Sequence, residues 1–254
     1  MNARVPSVSA FFPAYNDAPS LPTLIERTFA VLSESANEFE VIVVDDGSRD
    51  GTAGVLRALQ RRFGPCLRVV EHAQNRGYGA ALRTGLEAAR YDLVFYTDGD
   101  GQYDVCELPR LLDLMGDGVG LVNGYKLTRN DPWHRICIGW LYNRFARALF
   151  GIALRNIDCD FRLIRRGVVQ SLDLRWDTGS ICVELVRGIE LSGCAVVEVG
   201  VHHYPRLHGR SQFFRLHSLL TTMRQLLDLY WRLMLLPRRR VVALRIPMGA
   251  ILGP

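Results

Sequence analysis

Apolar positions in the first half of the chain fall into short continuous runs, and between them the spacing switches to that of helices. Val8 to Phe12 reads as a first strand, stopped by Pro13. Phe39 to Val44 is a run rich in β-branched residues and apolar but for Glu40, the pattern of a parallel strand buried on both faces. Leu67 to Glu71 and Leu93 to Thr97 follow as third and fourth strands. Leu24, Ile25, Thr28 and Leu32 recur at helical spacing and predict a helix over Leu21 to Ser33. Further helices are predicted from near Thr52 and over Ala80 to Arg90. Strand and helix alternate about every 25 residues, which predicts an α/β fold with a mostly parallel sheet and right-handed crossovers. Ligands of such sheets bind at the carboxyl ends of the strands. The polar clusters at 13–17, 45–48, 75–79 and 98–102 all fall there.

Gly118 to Asn123 predicts a fifth strand, and Pro132 to Phe150 a helix. That helix carries Ile136, Trp140, Leu141, Phe145 and Leu149 on one face and Arg135, Arg144 and Arg147 on another. It reads equally as a core-facing amphipathic helix or as an acceptor-side element meeting anionic lipid heads. Leu216 to Leu236 is a more strongly patterned helix, with a wide apolar stripe broken by Arg224, Asp228 and Arg232. The breaks predict a helix that lies on a membrane, or packs on the domain or in a homodimer interface, but does not span a bilayer. The expected division is therefore a catalytic domain over 1–212 and a basic amphipathic tail over 213–254.

With 254 residues and 48% hydrophobic content, the chain can bury a sizeable core. The six cysteines are scattered with no C-x-x-C pair, which argues against a zinc site or disulfide framework and fits a reducing cytosol. The amino terminus lacks the apolar core of a signal peptide. Charge is uneven. From His202 onward there are nine Arg and one acid, a balance of +8 against +5 for the whole chain, and this points to an anionic partner. Because that tail is apolar as well as basic, a membrane surface fits it better than nucleic acid.

The candidate chemistry centres on YDLVFYTDGDGQYD, Tyr91 to Asp104. An apolar strand ends in Asp98, Asp100 and Gln102, with Gly99 and Gly101 letting the backbone turn between them. Carboxylates leaving a strand end can hold a divalent cation, which in turn holds phosphate oxygens. A calcium loop starting at Asp98 is excluded, because its sixth and twelfth positions would be Tyr103 and Pro109. A nicotinamide-binding fingerprint is also missing: the first strand is followed by PAYND, and the later GYGAAL lacks its third glycine. An aspartyl-nucleophile phosphatase shares the pair of Asp after a strand.

Taken together, PAYND, VVDDGSRDGT, NRGYGAALRTGL and TDGDGQYD resemble glycosyltransferase family 2, whose members have the GT-A nucleotide-sugar-binding fold and a DxD motif. CDFRLIRRGVV and PRLHGRSQ are similar to its polyprenyl-phosphate branch, which includes dolichol-phosphate mannosyltransferase and bacterial polyprenyl-phosphate glycosyltransferases. The phosphatase pattern has neither DDGS nor PRLHGRS. The resemblance implies that Pro13, Tyr15, Asp17, Val43 and Asp45 line the nucleotide, with Gly99 in the metal turn. It implies Mg²⁺ or Mn²⁺ at Asp98, Asp100 and Gln102, and diphosphate contacts from Lys126, Arg206 and Gln212. Arg135, Arg210 and Ser211 fall on the acceptor side, and Asp100, Asp160 and Arg206 carry the chemistry. The sequence departs from the family at Asp17, where Glu is usual, and at Gln212, where Lys is usual; Arg210 is the candidate replacement for that charge.

The implied activity is inverting, metal-dependent transfer of a sugar from a UDP- or GDP-linked donor to a polyprenyl phosphate, by a protein peripheral to the cytoplasmic face of the cell membrane. Asp158 and Asp160 mark the acceptor end. A hydroxyl acceptor needs one of them as general base, whereas a phosphate acceptor is already ionised. A soluble transferase acting on a hydroxyl and a non-catalytic subunit that recruits a partner to the membrane are the alternatives. Glu184 reads as a buried helix carboxylate, either functional or simply paired. His202 and His203 read as structural, since neighbours on a strand point to opposite faces.

Overall fold

A computed structural model describes residues 5–127, 133–206 and 216–235. Seven strands form one sheet: β1 (Val5–Ala14), β2 (Ala36–Asp45), β3 (Leu67–Glu71), β4 (Leu93–Thr97), β5 (Val119–Lys126), β6 (Phe161–Arg165) and β7 (Ala195–Val201). Their order is β3-β2-β1-β4-β6-β5-β7. All neighbours run parallel except β6, which is antiparallel to both β4 and β5. Among the described residues there are eight α-helices: α1 (Leu21–Ser35), α2 (Thr52–Phe63), α3 (Tyr78–Ala88), α4 (Leu108–Leu114), α5 (Trp133–Phe150), α6 (Arg166–Gln170), α7 (Ser180–Leu191) and α8 (Leu216–Tyr230), the last following β7.

Strand periodicity divides the core. Val8, Ala10 and Phe12 of β1 face a cluster built with α1, α2 and α4 through Leu21, Ile25, Leu56 and Leu108. Phe11, Ile42 and Tyr96 point the other way, into a cluster with α3 and α7 through Leu82, Leu86, Ile181 and Leu185. Alternate residues of each strand thus feed two hydrophobic layers, and the continuous apolar runs in the sequence follow from burial on both sides.

The sequence expectation misses β6. Its apolar run is interrupted by Arg162, yet that side chain is fully buried. Arg162 Nε donates to Asn123 Oδ1 at 2.7 Å, and its terminal nitrogens reach the Tyr96 hydroxyl and the Ile157 carbonyl. Asp160 lies 3.6 Å from Nη1. A buried charge is tolerated only when its donors are satisfied in this way.

The Leu216–Leu236 stripe proves to have two sides. Leu226 and Leu229 of α8 are fully buried, whereas Met223, Leu227, Trp231 and Met234 are exposed. A short π-helical turn, Trp231–Leu235, continues α8, and Arg232 pairs there with the buried Glu184. Glu184 also accepts the backbone N–H of Arg175 at 2.9 Å. Glu184 is thus a paired structural acid. No helix among the described residues is long and apolar enough to cross a membrane.

The glycines of NRGYG have separate jobs. Gly77 adopts φ 97°, the left-handed region. Gly79 lets the start of α3 touch the segment before α7: its N–H donates to Asp177 O at 2.8 Å, and an added Cβ would sit 2.2 Å from Trp176 O. The obstacle is backbone, so Gly79→Ala is expected to cost about 1–3 kcal/mol, as overpacking does. Urea unfolding of parent and variant measures it.

Candidate active site

The site begins with the loops that follow β1, β2 and β4. The N–H of Gly99 donates to Pro13 O at 3.1 Å and that of Asp46 to Ala14 O at 2.9 Å. Asn16 N donates to Ser48 Oγ at 2.9 Å, Arg49 N to Asn16 Oδ1 at 2.8 Å, and Ser20 Oγ to Gly99 O at 2.7 Å. Asn16 itself adopts φ 58°, a conformation that Asn tolerates better than most residues. Asp45 Oδ1 closes the β2 turn by accepting Ser48 N at 2.9 Å.

Asp46 organises the glycine loop. It accepts the backbone N–H groups of Arg76 and Gly77 at 2.8 and 2.9 Å. His72 Nδ1 bonds the same carboxylate at 2.6 Å, and His72 Nε2 reaches Thr84 Oγ1 at 3.0 Å. Neither DDGS carboxylate caps a helix here; the N–H of Thr52, at the start of α2, is accepted by Asp50 instead. His72 escaped the sequence reading because its partner lies 26 positions away.

At the centre, three carboxylates press on one another. Burial raises the Asp98 carboxyl well above its usual range, and the charges of Asp160 and Asp100 raise it further. Burial raises Asp100 too, opposed by the Arg206 guanidinium and the Gln102 N–H. Asp100 Oδ1 accepts Gln102 N at 3.0 Å, while Oδ2 pairs with Arg206. Lys126 also lowers Asp100 and sits 3.6 Å from Asp158. Asn143 of α5 donates to Asp158 at 2.7 Å and accepts Ile157 N at 2.7 Å, which fixes this side of the site.

Two buried polar atoms at this centre, Asp98 Oδ1 and Tyr78 Oη, reach no partner at good hydrogen-bond geometry among the described residues, although the Tyr78 hydroxyl is near enough to lower the Asp98 carboxyl. A buried polar atom without a partner marks a place where a water or ion belongs. No group of three or more His, Cys, Asp or Glu side chains able to hold a metal occurs among the described residues. The candidate donor set is the carboxylate pair Asp98 and Asp100. That suits a hard cation that takes one or two protein carboxylates and completes its shell with water and substrate phosphate. The residues fit Mg²⁺ or Mn²⁺ in that sense.

The other expected residues divide. Pro13 is buried, and Tyr15 and Asp17 border the same end of the sheet. Val43, expected at the base, has its side chain fully buried in the core on the α1 and α2 side. Gln102, expected beside the cation, commits its amide to the segment after β7: Nε2 donates to Tyr204 O at 2.9 Å, and Oε1 accepts Arg206 Nε at 3.4 Å. His202 is tied to Glu107, and His203 packs edge-on against Tyr103. The side chain of Arg135, and all of Arg210, Ser211 and Gln212, lie outside the described residues. Tyr78, at the start of α3 and beside Asp98, was missed; an aromatic next to two glycines looks like loop chemistry in sequence.

Asp17 carries a pH dependence. Burial raises its carboxyl to about 6, helped by Asp100 and opposed by the Tyr15 N–H and Arg206. An acid raised on folding costs stability once ionised; the cost is full above the raised value, shrinks as pH falls below it and is gone below the ordinary carboxylate value. Metal-free Asp17→Asn is therefore expected to melt about 2–4 °C above the parent at pH 8, with the gap closing by about pH 4. Thermal scans across that range check it.

A mostly parallel sheet with an antiparallel β6 inserted, and a D-x-D carboxylate pair at its carboxyl edge, defines a nucleotide-sugar transferase fold of the GT-A class. Solved structures share it. Glucosyl-3-phosphoglycerate synthase from Mycobacterium tuberculosis in complex with Mn²⁺, UDP and glucosyl-3-phosphoglycerate superposes with a TM-score of 0.65 at 22% identity, covering 93% of this chain and 82% of that one. Its complex with Mn²⁺, UDP and phosphoglyceric acid gives 0.67 at the same identity, over 93% and 80%.

The chain belongs to glycosyl transferase family 2, whose model matches residues 9–173. Among curated relatives, undecaprenyl-phosphate 4-deoxy-4-formamido-L-arabinose transferase from Pseudomonas aeruginosa (strain LESB58) is 34% identical over 206 residues, 81% of this chain and 60% of that protein. The protein of that name from Aeromonas hydrophila is 30% identical over 216 residues, 85% and 65% of the two chains. The chain thus spans about three fifths of the length of the curated relatives it matches.

Proposed function

We propose that this chain catalyses inverting transfer of a sugar from a nucleoside-diphosphate donor to a polyprenyl phosphate, as a peripheral protein at the cytoplasmic face of the cell membrane. The observation that carries the reading is the Asp98–Asp100 pair, with the orphaned Asp98 oxygen, facing Arg206 and Lys126 at the carboxyl ends of the strands. Relatives named for an undecaprenyl-phosphate acceptor support the lipid end. The exposed stripe of α8, Met223, Leu227, Trp231 and Met234, supports contact with a bilayer surface.

Asp98 and Asp100 would hold the divalent cation, which when bound would supply Lewis-acid neutralisation of charge on the departing diphosphate. The loops after β1 and β2 hold the nucleoside, with Tyr15, Asp17 and Asp45 nearest to it. Arg206 and Lys126 add positive charge to the leaving side, where preorganised charge lowers the barrier most. An oxygen of the acceptor phosphate attacks the anomeric carbon from the opposite side, and the bond to the nucleoside diphosphate breaks. Because that oxygen is already ionised, Asp160 orients the acceptor and need not take up a proton.

The test is a donor screen. UDP- and GDP-sugars are incubated with Mn²⁺ or Mg²⁺, with and without a short polyprenyl phosphate, and nucleoside diphosphate release is followed. Release that needs metal and rises with the lipid supports the reading. Metal-dependent release that ignores the lipid and is lost in Asp160→Asn moves the acceptor to a hydroxyl. No release and no donor binding removes the enzyme reading and favours a recruiting subunit.

A further inference from the structure

α5 carries a second basic feature that the transfer reaction does not use. Trp140, Asn143, Arg144 and Arg147 of this helix, with Arg155 and Asn156 from the loop before β6, line a cavity of about 110 Å³. A single water needs only about 10–15 Å³ of such volume, so a tetrahedral oxyanion has room. Among the described residues, none of the three guanidinium groups has a carboxylate partner. Their other contacts are aromatic: Arg144 lies over Trp140 at 5.9 Å and Arg155 over Tyr125 at 4.7 Å. Arg155 meets an acid through its backbone, its N–H donating to Glu198 at 2.8 Å. Three unpaired arginines around one hollow concentrate positive potential, and the guanidinium fork matches phosphate geometry.

The surroundings choose the source of that phosphate. Beside the cavity α5 exposes Ile138, Leu141 and Phe145, at 37%, 62% and 37%, and Trp140 at 60%. α8, which packs against α5 through Phe150 and Tyr230, exposes its own apolar stripe. Large apolar side chains next to unpaired arginines complement a bilayer with acidic head groups, the aromatic side chains entering the interface and the guanidinium groups meeting phosphate. The cavity is joined to the reaction centre through Asn143, which lines it and also bonds Asp158.

We infer that the cavity formed by Arg144, Arg147 and Arg155 binds the phosphate of an anionic bilayer lipid. This seats α5 on the membrane beside the acceptor side of the site, separately from the acceptor's own phosphate. The inference rests on the membrane-facing reading above and adds a defined head-group site to it.

The experiment is co-sedimentation of the full chain with phosphatidylcholine vesicles, with and without about a third phosphatidylglycerol. The Arg144→Gln/Arg147→Gln variant is expected to bind the acidic vesicles about tenfold more weakly than the parent. It should match the parent on neutral vesicles and in turnover of a water-soluble short polyprenyl phosphate. Arg155→Gln tests the cavity from the opposite wall and serves if the double variant does not fold. Equal binding of parent and variants to acidic vesicles overturns the inference while leaving the membrane reading intact. Absence of vesicle binding by the parent overturns both. Loss of soluble-acceptor turnover in the variant assigns these arginines to the acceptor and overturns a separate site. Release of the parent from vesicles by millimolar inorganic phosphate, but not by chloride at matched ionic strength, assigns the cavity to free phosphate and overturns the lipid. Retention on an oligonucleotide that the variant loses, with vesicle binding unchanged, overturns it in favour of nucleic acid.

Discussion

Asp98→Asn is expected to lower metal-dependent nucleoside diphosphate release by about 10²–10³-fold, while the metal-free protein becomes at least as stable as the parent. The two effects have one cause. Asp98 is held well above the usual carboxylate range, by burial first and then by the charges of Asp160 and Asp100, so ionising it opposes folding. The Tyr78 hydroxyl and the Arg206 charge offset only part of that cost. The amide carries no charge and is free of the penalty, so the variant should melt higher at pH 8 without metal. The gap starts to narrow as the pH falls below the raised value and closes in the ordinary carboxylate range, where the unfolded parent is protonated too. Adding Mn²⁺ with nucleoside diphosphate should reverse the order, since only the parent gains stability by binding. Melting scans with and without metal, alongside release assays, measure both halves. Undiminished metal-dependent release by the variant would mean that the cation is held elsewhere. Stability given up at a site in return for function is a common pattern in proteins.

The amino-terminal half of the fold was legible because β1, β2 and β4 are central strands covered on both faces, and that burial writes continuous apolar runs into the sequence. β6 was not legible, because the side chain that breaks its pattern is satisfied by Tyr96, Asn123 and Ile157, none of which is an immediate neighbour. Its antiparallel insertion between β4 and β5 is likewise a matter of pairing across the sheet. α8 showed its apolar width in the sequence, but which residues were covered depended on α5 and α7, and only the fold brings those to Leu226 and Leu229. The carboxylates of the site were plain as a motif, since two aspartates one residue apart at a strand end need no distant partner to be noticed. What they do to one another was hidden: Asp160 comes from the loop before β6, and Tyr78 from the first residue of α3. The link from Asp46 through His72 to Thr84 was equally hidden, although it sets the geometry of the glycine loop that the motif did reveal.

Replacing Arg206 by Ala is expected to separate metal binding from turnover. Arg206 now pairs with Asp100 and receives further support from Gln102 Oε1, so in the donor-free protein its guanidinium supplies the positive charge that the carboxylates need. A cation entering the pair must compete with it. Removing the guanidinium leaves Asp98, Asp100 and Asp160 less compensated, and donor-free Mn²⁺ affinity should rise by about tenfold, the effect of one nearby charge in a partly buried site. Turnover should move the other way, falling by about 10²–10³-fold, because the same group is then missing from the leaving diphosphate. Arg206→Lys keeps a charge but loses the fork, and should sit between parent and Ala on both scales. Calorimetric titration with Mn²⁺ in the absence of donor gives the first quantity and nucleoside diphosphate release gives the second. If both fall together, Arg206 serves only to hold the Asp100 turn in shape. If metal affinity rises while turnover collapses, the guanidinium passes from carboxylate to diphosphate as metal and donor bind, and its ion pair with Asp100 is one of two positions of a group that acts in the reaction.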